Sequence, residues 1–443
     1  MTGSETGSLR RDIGFTGSAF LSFNGIVGAG IFALPATLHL QFGTFSPWLF
    51  PIFGLLILLI ALPFSRLAAV VPVTGGPAAY SACFGPFVSF QAGWLYYLAR
   101  ASAMAANANV FATYAASLWP ALGSAVGRIV TILGLVALVT LVNIVGVRRA
   151  IRALDALTLL KALPLIGIAL WALIAAAPAI PAPGPLPTLS AVEAAALVIL
   201  YAFVGFENSV VPAGETTDPR RTIPRALLIT IAATAAIYFL VQLAYVAVMP
   251  VGAAPSAPLA AMAEILIGPA GAILLAATAL ASIAGNISST MTSTPRVTFA
   301  LSEQKSLPAW FGRVSGHYAT PANSILFLGL VVGLLAVSGS FVWLAIVSAL
   351  ARMFVYGVSI AALPRARRAD GQKNGPITYA MIAAGLAVCA WGAAQSATAS
   401  WVALAIAVSA GLLLYALARR QAGSSSAETV SSIQPPPSTR SPS

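Results

Sequence analysis

Charged residues are scarce in this chain, at 8% of its 443 residues, where a soluble domain carries roughly 25%. Histidine is scarcer still. The sequence has two, His39 and His317, which lie far apart and on opposite sides of a membrane in the topology predicted from the loops. This distribution argues against a histidine-based metal centre and against a catalytic triad.

Cysteine is also scarce, with two residues, and we find no phosphate-binding loop motif. Cys83 is predicted on the cytoplasmic side and Cys389 within a span, so no disulfide is expected. The glycine pair Gly75-Gly76 lacks the following lysine of a phosphate loop. We therefore expect no cofactor, no ATP-driven step and no enzyme activity.

Hydrophobic residues are abundant instead, at 59% of the chain. Apolar runs of about 20 residues recur along it, and such a run matches the hydrocarbon core of a bilayer. We count about twelve of them, which predicts an all-α membrane protein. Residues 421–443 are rich in serine and proline and are predicted to form a disordered cytoplasmic tail.

The formal charge of +12 suggests a nucleic-acid partner until the charges are located. Lysine and arginine fall in alternate loops, and the intervening loops carry almost none, with Arg128 the exception. The residues are Arg10, Arg11, Arg148, Arg149, Arg152, Arg220, Arg221, Arg225, Arg296, Lys305, Arg313, Arg365, Arg367, Arg368, Lys373, Arg419 and Arg420. This positive-inside pattern predicts cytoplasmic termini in a plasma (inner) membrane, and no nucleic acid is expected.

One apolar run is interrupted where a membrane helix should be continuous. Three glycines lie between Gly25 and Gly30, and Pro35 follows. Glycine permits unusual backbone angles and proline lacks a donor N–H, so this backbone is expected to break. A break inside hydrocarbon persists only beside a cavity or a ligand. The sixth span repeats the glycine-to-proline spacing, with Gly205 seven residues before Pro212. Paired interruptions are typical of inverted-repeat transporters, although a chance match is the alternative.

Three motifs resemble those of the amino acid–polyamine–organocation (APC) transporter family. Gly28-Ala29-Gly30-Ile31-Phe32 with Leu34-Pro35 resembles its first-helix signature. Tyr201-Ala202-Phe203-Val204-Gly205-Phe206-Glu207, with the loop from Glu215 to Pro224, is similar to its sixth-helix signature. The segment from Arg296 to Pro308 resembles the end of its eighth helix.

The resemblance implies a LeuT-type fold of two inverted five-helix repeats with two additional C-terminal helices. The first repeat is expected in residues 13–177 and the second in 191–362, after a cytoplasmic segment, 1–12. The two extra helices are expected in 376–420.

The resemblance also implies that the broken backbone binds the head group of a substrate. The N–H groups of Ala29 and Gly30 would open the second half-helix after Gly28, and such an N-terminus suits a carboxylate. The carbonyl of Ile26 would suit an ammonium group, and the carbonyls of Tyr201 and Val204 around Gly205 would complement it. The alternative is a glycine motif for helix packing.

Glu207 is the one acid placed deep within a span, and a buried ionisable residue in a membrane is costly. The resemblance implies that it links gating and binding elements, with proton coupling proposed in some members. A structural carboxylate that caps nearby backbone is the alternative. Tyr201 aligns with a family aromatic that closes over the substrate, or is a core tyrosine.

Lys161 lies inside the fifth span. In the family, a lysine here resembles a replacement for the sodium ion of related transporters. It would reach towards Ser288, Ser289 or Thr290. A desolvated lysine could instead exchange the coupling proton, or the side chain snorkels to the membrane face.

Arg100 and Arg352 are also predicted near the middle of spans, where each costs about 2.5–3.5 kcal/mol to insert. With Lys161 they outnumber Glu207, so the site is expected to favour a negative charge such as a substrate carboxylate. The alternative is that the arginines bond helix-end carbonyls and line a gate. Met104 is a candidate for the variable side-chain pocket.

These features predict a secondary-active amino acid transporter that works by alternating access without sodium, as a proton-coupled carrier or an exchanger. The predicted partners are a small-molecule substrate (an amino acid or a related amine), the lipid bilayer and, as a candidate coupling ion, the proton. Three alternatives stay open: a transporter-like amino acid sensor, a permease for another small amine or organocation, and a channel.

Overall fold

The protein is built from helices. The computed structural model describes residues 12–73, 75–146, 162–176, 181–318 and 320–431. Its α-helices are α1 (Phe15–Ile26), α2 (Gly30–Phe42), α3 (Ser46–Val70), α4 (Pro77–Ser81), α5 (Pro86–Leu118), α6 (Ala125–Val145), α7 (Ala162–Ala176), α8 (Leu189–Tyr201), α9 (Pro219–Val248), α10 (Pro258–Ile267), α11 (Pro269–Ser293), α12 (Pro295–Glu303), α13 (Ala322–Ser338), α14 (Phe341–Ala369), α15 (Pro376–Ala394) and α16 (Thr398–Ser431). Within these ranges there is no strand, which confirms the all-α prediction.

Eight segments of the described chain are long and apolar enough to cross a membrane. They are Gly30–Val70, Ala125–Val145, Leu189–Ser209, Pro219–Val248, Pro269–Glu303, Phe341–Ala369, Pro376–Ala394 and Thr398–Gln421. The helices α7, α10 and α13 are shorter and also apolar. On α6, large apolar side chains such as Leu138 and Leu141 are 60% exposed, as expected for a surface that faces lipid. The chain is a polytopic membrane protein.

Helices α1, α3, α5, α8, α9 and α14 surround the centre of the bundle, where α3 packs along α9 and α5 packs along α14. Aromatic rings fill the space between them. Phe64 of α3 contacts the rings of Tyr80, Phe206 and Tyr356 edge-on, with centroids 5.2–6.0 Å apart. Such offset and edge-on contacts add stability beyond the burial of apolar area.

The start of the described chain is tied to the segment that precedes α9. The Ile13 N–H donates to the Glu215 carbonyl at 3.0 Å, and the Thr217 N–H donates to the Ile13 carbonyl at 2.9 Å. This isolated bridge holds the beginning of α1 close to the residues that follow α8.

Helix α16 continues into the segment that was predicted to be a tail. It ends at Ser431, eleven residues beyond the predicted end of the last span at residue 420. Residues 421–431 contain no proline, and serine and alanine can continue the helical hydrogen bonds. The prolines begin only at Pro435, and the residues after Ser431 lie outside the described part of the chain.

Candidate functional site

Two interruptions of the helical backbone meet in the centre of the bundle. Helix α1 ends at Ile26, residues 27–29 are not helical, and α2 begins at Gly30. Helix α8 ends at Tyr201, and Gly205 has a φ of 107° before the short 3-10 helix Phe206–Ser209. We call residues 26–30 the first interruption and residues 201–207 the second interruption.

Gly25, which lies in α1 just before the first interruption, contacts Gly205 of the second interruption and so brings the two interruptions together. A Cβ atom added to Gly25 would lie 2.2 Å from the Gly205 carbonyl oxygen, and one added to Gly205 would lie 2.3 Å from the Gly25 oxygen. Neither distance is compatible with a side chain. The Ser22 hydroxyl reinforces the contact, since it lies 2.8 Å from both the Phe206 carbonyl oxygen and the Ser209 hydroxyl.

A small cavity of about 30 Å³ lies between the interruptions. That volume holds one or two water molecules. Both interruptions contribute backbone to its wall, and side chains complete it. These come from Arg100, Ala103 and Asn107 of α5, Asn286 and Thr290 of α11, and Arg352 of α14. A larger ligand would require some of these groups to move.

Asn107 is the centre of an uncharged hydrogen-bond network beside the first interruption. Its Oδ1 accepts from the Ala29 N–H at 3.1 Å and from the Tyr201 hydroxyl at 3.2 Å. Its Nδ2 donates to Asn286 Oδ1 at 2.8 Å, and Asn286 Nδ2 donates to the Asn24 carbonyl at 2.7 Å. These two amides therefore satisfy backbone groups beside the end of α1.

Glu207 and Arg352 form a buried ion pair beside the second interruption. Arg352 Nε lies 3.1 Å from Glu207 Oε1, and both side chains are almost fully buried. Glu207 Oε2 also accepts from the Gly205 N–H at 2.9 Å and from the Tyr356 hydroxyl at 2.8 Å. The carboxylate thus joins the backbone turn at Gly205 to α14.

Among the residues that the structure describes, Arg100 is buried with no carboxylate beside it. Its guanidinium donates to the Thr294 hydroxyl at 2.7 Å, the Tyr96 hydroxyl at 2.8 Å, Asn208 Oδ1 at 2.5 Å and the Ser293 hydroxyl at 2.7 Å. Within the described ranges, no Asp or Glu oxygen lies within 4.0 Å of it. A full positive charge therefore borders the cavity with neutral partners alone.

Comparison with known proteins identifies the family that this architecture belongs to. The family model described as "Amino acid permease" matches residues 13–427, which includes both interruptions and nearly the whole chain. The chain belongs to the amino acid permease family.

Named relatives of this permease agree with that assignment. It is 26% identical over 339 residues to an uncharacterized transporter of Mycobacterium tuberculosis, covering 74% of each chain. It is 27% identical over 240 residues to the L-methionine/branched-chain amino acid exporter of Escherichia coli, covering 52% of this chain and 55% of the exporter. It is 26% identical over 259 residues to the cadaverine/lysine antiporter of Escherichia coli, covering 57% and 58%. The permease is therefore a transporter of amino acids or related amines, not an enzyme.

Most of the residues that the sequence nominated for the site lie together in the permease. The cavity wall contains Ile26, Gly28, Ala29, Gly30, Arg100, Tyr201, Val204 and Gly205. Glu207 lies behind the wall and contacts it through Arg352 and the Gly205 N–H. Their roles in substrate binding stay predictions.

Three other nominated residues lie outside the cavity wall. Met104 is fully buried there. Ser288 and Ser289 are also outside the wall, whereas Thr290, named with them as a target of Lys161, lies in it. Lys161 lies outside the described residues.

The sequence reading missed the polar amides. Asn107, Asn208 and Asn286 line the cavity and were not nominated, nor was Gly25 as the contact point with Gly205. One signal was available on α5. Arg100, Ala103 and Asn107 follow the i, i+3, i+7 spacing of a single helix face. Once Arg100 was a candidate, this spacing could have added Asn107, two turns later, to the site.

Proposed function

We propose that the permease is a secondary-active amino acid transporter that works by alternating access without sodium. The substrate's α-carboxylate is bound by the start of α2 and its α-amino group by carbonyls at the ends of α1 and α8. Transport is coupled to protons or to exchange of a second amino acid. The contact between Gly25 and Gly205 carries this proposal, because it brings both interruptions to one cavity.

The electrostatics of the helix ends support head-group binding. The start of α2 carries about half a positive charge and the end of α1 about half a negative charge, as at all helix termini. The Ala29 N–H now donates to Asn107 Oδ1, and a carboxylate oxygen is a stronger acceptor at the same place. We expect Asn107 to give way when the carboxylate binds.

Side-chain donors near the end of α1 support independence from sodium. Asn286 Nδ2 donates to the Asn24 carbonyl, and the Tyr238 hydroxyl donates to the Ile26 carbonyl at 3.3 Å. A bound sodium ion would need carbonyl oxygens of this kind as ligands. The predicted role of Lys161 as a built-in cation follows the same reasoning and stays a proposal.

The finer topology also belongs to the proposal. We infer about twelve spans arranged as two inverted repeats, with both termini in the cytoplasm of a cell whose plasma membrane holds the protein. The backbone interruptions after α1 and α8 support the repeat, because matching broken helices in two halves mark the substrate site of such transporters.

Transport in liposomes tests the proposal. Purified permease is reconstituted and offered a panel of labelled amino acids, with and without gradients of pH and sodium. We expect accumulation driven by a pH gradient, or counterflow against a preloaded amino acid, with no stimulation by sodium. Saturable binding without accumulation or counterflow would identify a sensor. Currents that reverse at an ion's equilibrium potential would identify a channel.

A further inference from the structure

We propose that the substrate is an acidic amino acid, whose side-chain carboxylate binds Arg100. This inference rests on the proposed function and adds the class of side chain. It starts from the balance of buried charge around the cavity. Arg100, Arg352 and Glu207 are the charged side chains buried there in the described chain.

The three charges do not cancel. Arg352 is matched by Glu207 at 3.1 Å, whereas the partners of Arg100 are hydroxyl groups and one amide oxygen. Hydrogen bonds keep the guanidinium solvated, but a buried charge without an opposite charge is costly. A ligand with one negative charge beyond its zwitterionic head group would neutralise the charge on Arg100.

Arg100 is placed to meet such a ligand. Both Arg100 and its partner Asn208 lie in the cavity wall. Arg100 uses four of its five N–H donors on Thr294, Tyr96, Asn208 and Ser293. A carboxylate that replaced the Asn208 oxygen would gain a charge-assisted bond, and the three hydroxyl contacts would still orient the guanidinium.

Arg100 and Asn107 lie on one face of α5, and both line the cavity. Asn107 contacts the Ala29 N–H, where the α-carboxylate is proposed to bind. Arg100 is two turns earlier, about 10 Å along the helix axis. The proposed ligand therefore places one carboxylate at each of these two positions.

The same charge disfavours a basic ligand. A lysine or a diamine would bring a second positive charge to Arg100, and like charges at short range repel strongly in a medium of low dielectric constant. We therefore do not extend to this chain the basic substrates in the name of the Escherichia coli cadaverine/lysine antiporter.

Paired ligands of nearly equal shape test the inference. L-glutamate and L-glutamine, and L-aspartate and L-asparagine, are compared in competition for binding to the purified, full-length permease. We expect each acid to bind at least about tenfold more tightly than its amide, the ratio that one charge-assisted hydrogen bond supplies. Equal or tighter binding of the amides would overturn the inference and leave amino acid transport standing. Failure of every amino acid to bind would overturn the proposed function with it.

Substitution at Arg100 assigns the preference to this residue. We expect Arg100→Gln to bring the acid-to-amide ratio close to one and Arg100→Lys to retain part of it. Arg128→Gln is the matched control, because Arg128 also bonds neutral groups, Thr113 and Asn109, and lies outside the cavity wall. The control should keep the wild-type ratio. An unchanged acid-to-amide ratio in Arg100→Gln would contradict the inference. If that variant does not fold, the comparison of acids with amides in the unmodified permease still tests it.

Discussion

The first interruption is held by uncharged side chains, whereas the second is held by an ion pair. Asn107 bonds the backbone at Ala29 and Tyr238 bonds it at Ile26. At Gly205 the backbone N–H is bonded by Glu207, which is paired with Arg352. The two interruptions thus depend on bonds of different strength.

This difference indicates which interruption changes when a substrate binds. An amide hydrogen bond contributes about 1 kcal/mol net, so a ligand can replace it at small cost. Breaking a buried ion pair costs several kcal/mol. We therefore expect the first interruption to exchange its bonds with the substrate, and the second to act as a fixed connection between α8 and α14.

The largest expected effect comes from removing the charge at the second interruption. Glu207→Gln leaves Arg352 buried without an opposite charge, and we expect a loss of about 3–5 kcal/mol of stability. Thermal unfolding in detergent measures it. Arg220→Gln is the control. The N···O distance of the Arg220–Asp370 pair, 2.9 Å, is close to that of the buried pair, but the Arg220 side chain is 57% exposed. Such a surface pair contributes about 0–1 kcal/mol. Similar losses in both variants would refute the assigned importance of the buried pair.

The next effect concerns the contact between the glycines. Gly205→Ala introduces both a clash with Gly25 and a side chain at a φ of 107°. We expect it to cost at least about 2 kcal/mol, since strain and overpacking each cost about 1–3 kcal/mol. Gly25→Ala introduces the clash alone and should cost less. Gly134→Ala on α6 meets no atom within 4 Å and should not lower stability. Uptake assays and thermal unfolding report the order, and an innocuous Gly205→Ala would argue that the interruptions do not touch.

A smaller effect is expected when a tyrosine hydroxyl is removed at each interruption. Tyr356→Phe removes a hydroxyl bonded to the Glu207 carboxylate at 2.8 Å, and Tyr238→Phe removes one bonded to the Ile26 carbonyl at 3.3 Å. We expect losses of about 1.5–3 kcal/mol for the first and about 0.5–1.5 kcal/mol for the second. Chemical or thermal unfolding gives both numbers. The reverse order would show that charge does not distinguish the interruptions.

The smallest expected change is in affinity at the first interruption. Asn107→Asp places a carboxylate where the substrate's α-carboxylate is proposed to bind, so we expect about a tenfold weaker apparent affinity, or about 1.4 kcal/mol. Asn109→Asp is the control on the same helix, because Asn109 lies outside the cavity wall and its Oδ1 already accepts from Arg128 at 3.3 Å. Competition binding measures both variants. Equal affinity in the two would remove Asn107 from the head-group site.

The prediction of the interruptions rests on local chemistry. Glycine at 28 and 30 and at 205 weakens a helix wherever it lies, and the helices do end at Ile26 and Tyr201. The scarcity of charged residues and the long apolar runs were likewise sufficient to predict an all-α membrane protein. The end of α16 differs from the predicted end of the last span, because a serine-rich segment can be helical or disordered and composition alone does not decide between them.

Contacts between distant residues could not be predicted in the same way. Gly25 and Gly205 are 180 positions apart, and nothing in either neighbourhood encodes their contact. The pairing of Glu207 with Arg352 depends on how α14 is rotated against α8. Asn286 lies on a largely apolar helix. Its partner, Asn107, is determined by how the helices pack, and the sequence around Asn286 does not indicate it. Arg100 was recognised as buried, but its neutral partners were visible only in the folded chain.

The central claim is that the first interruption exchanges its uncharged bonds for the head group of an amino acid. Cryo-electron microscopy of the permease saturated with an amino acid that it transports tests this claim most directly. We predict density with the α-carboxylate within hydrogen-bonding distance of the Ala29 and Gly30 N–H groups, Asn107 turned away and the Glu207–Arg352 pair unchanged. A head group bound elsewhere, with Asn107 still bonded to Ala29, would contradict the account.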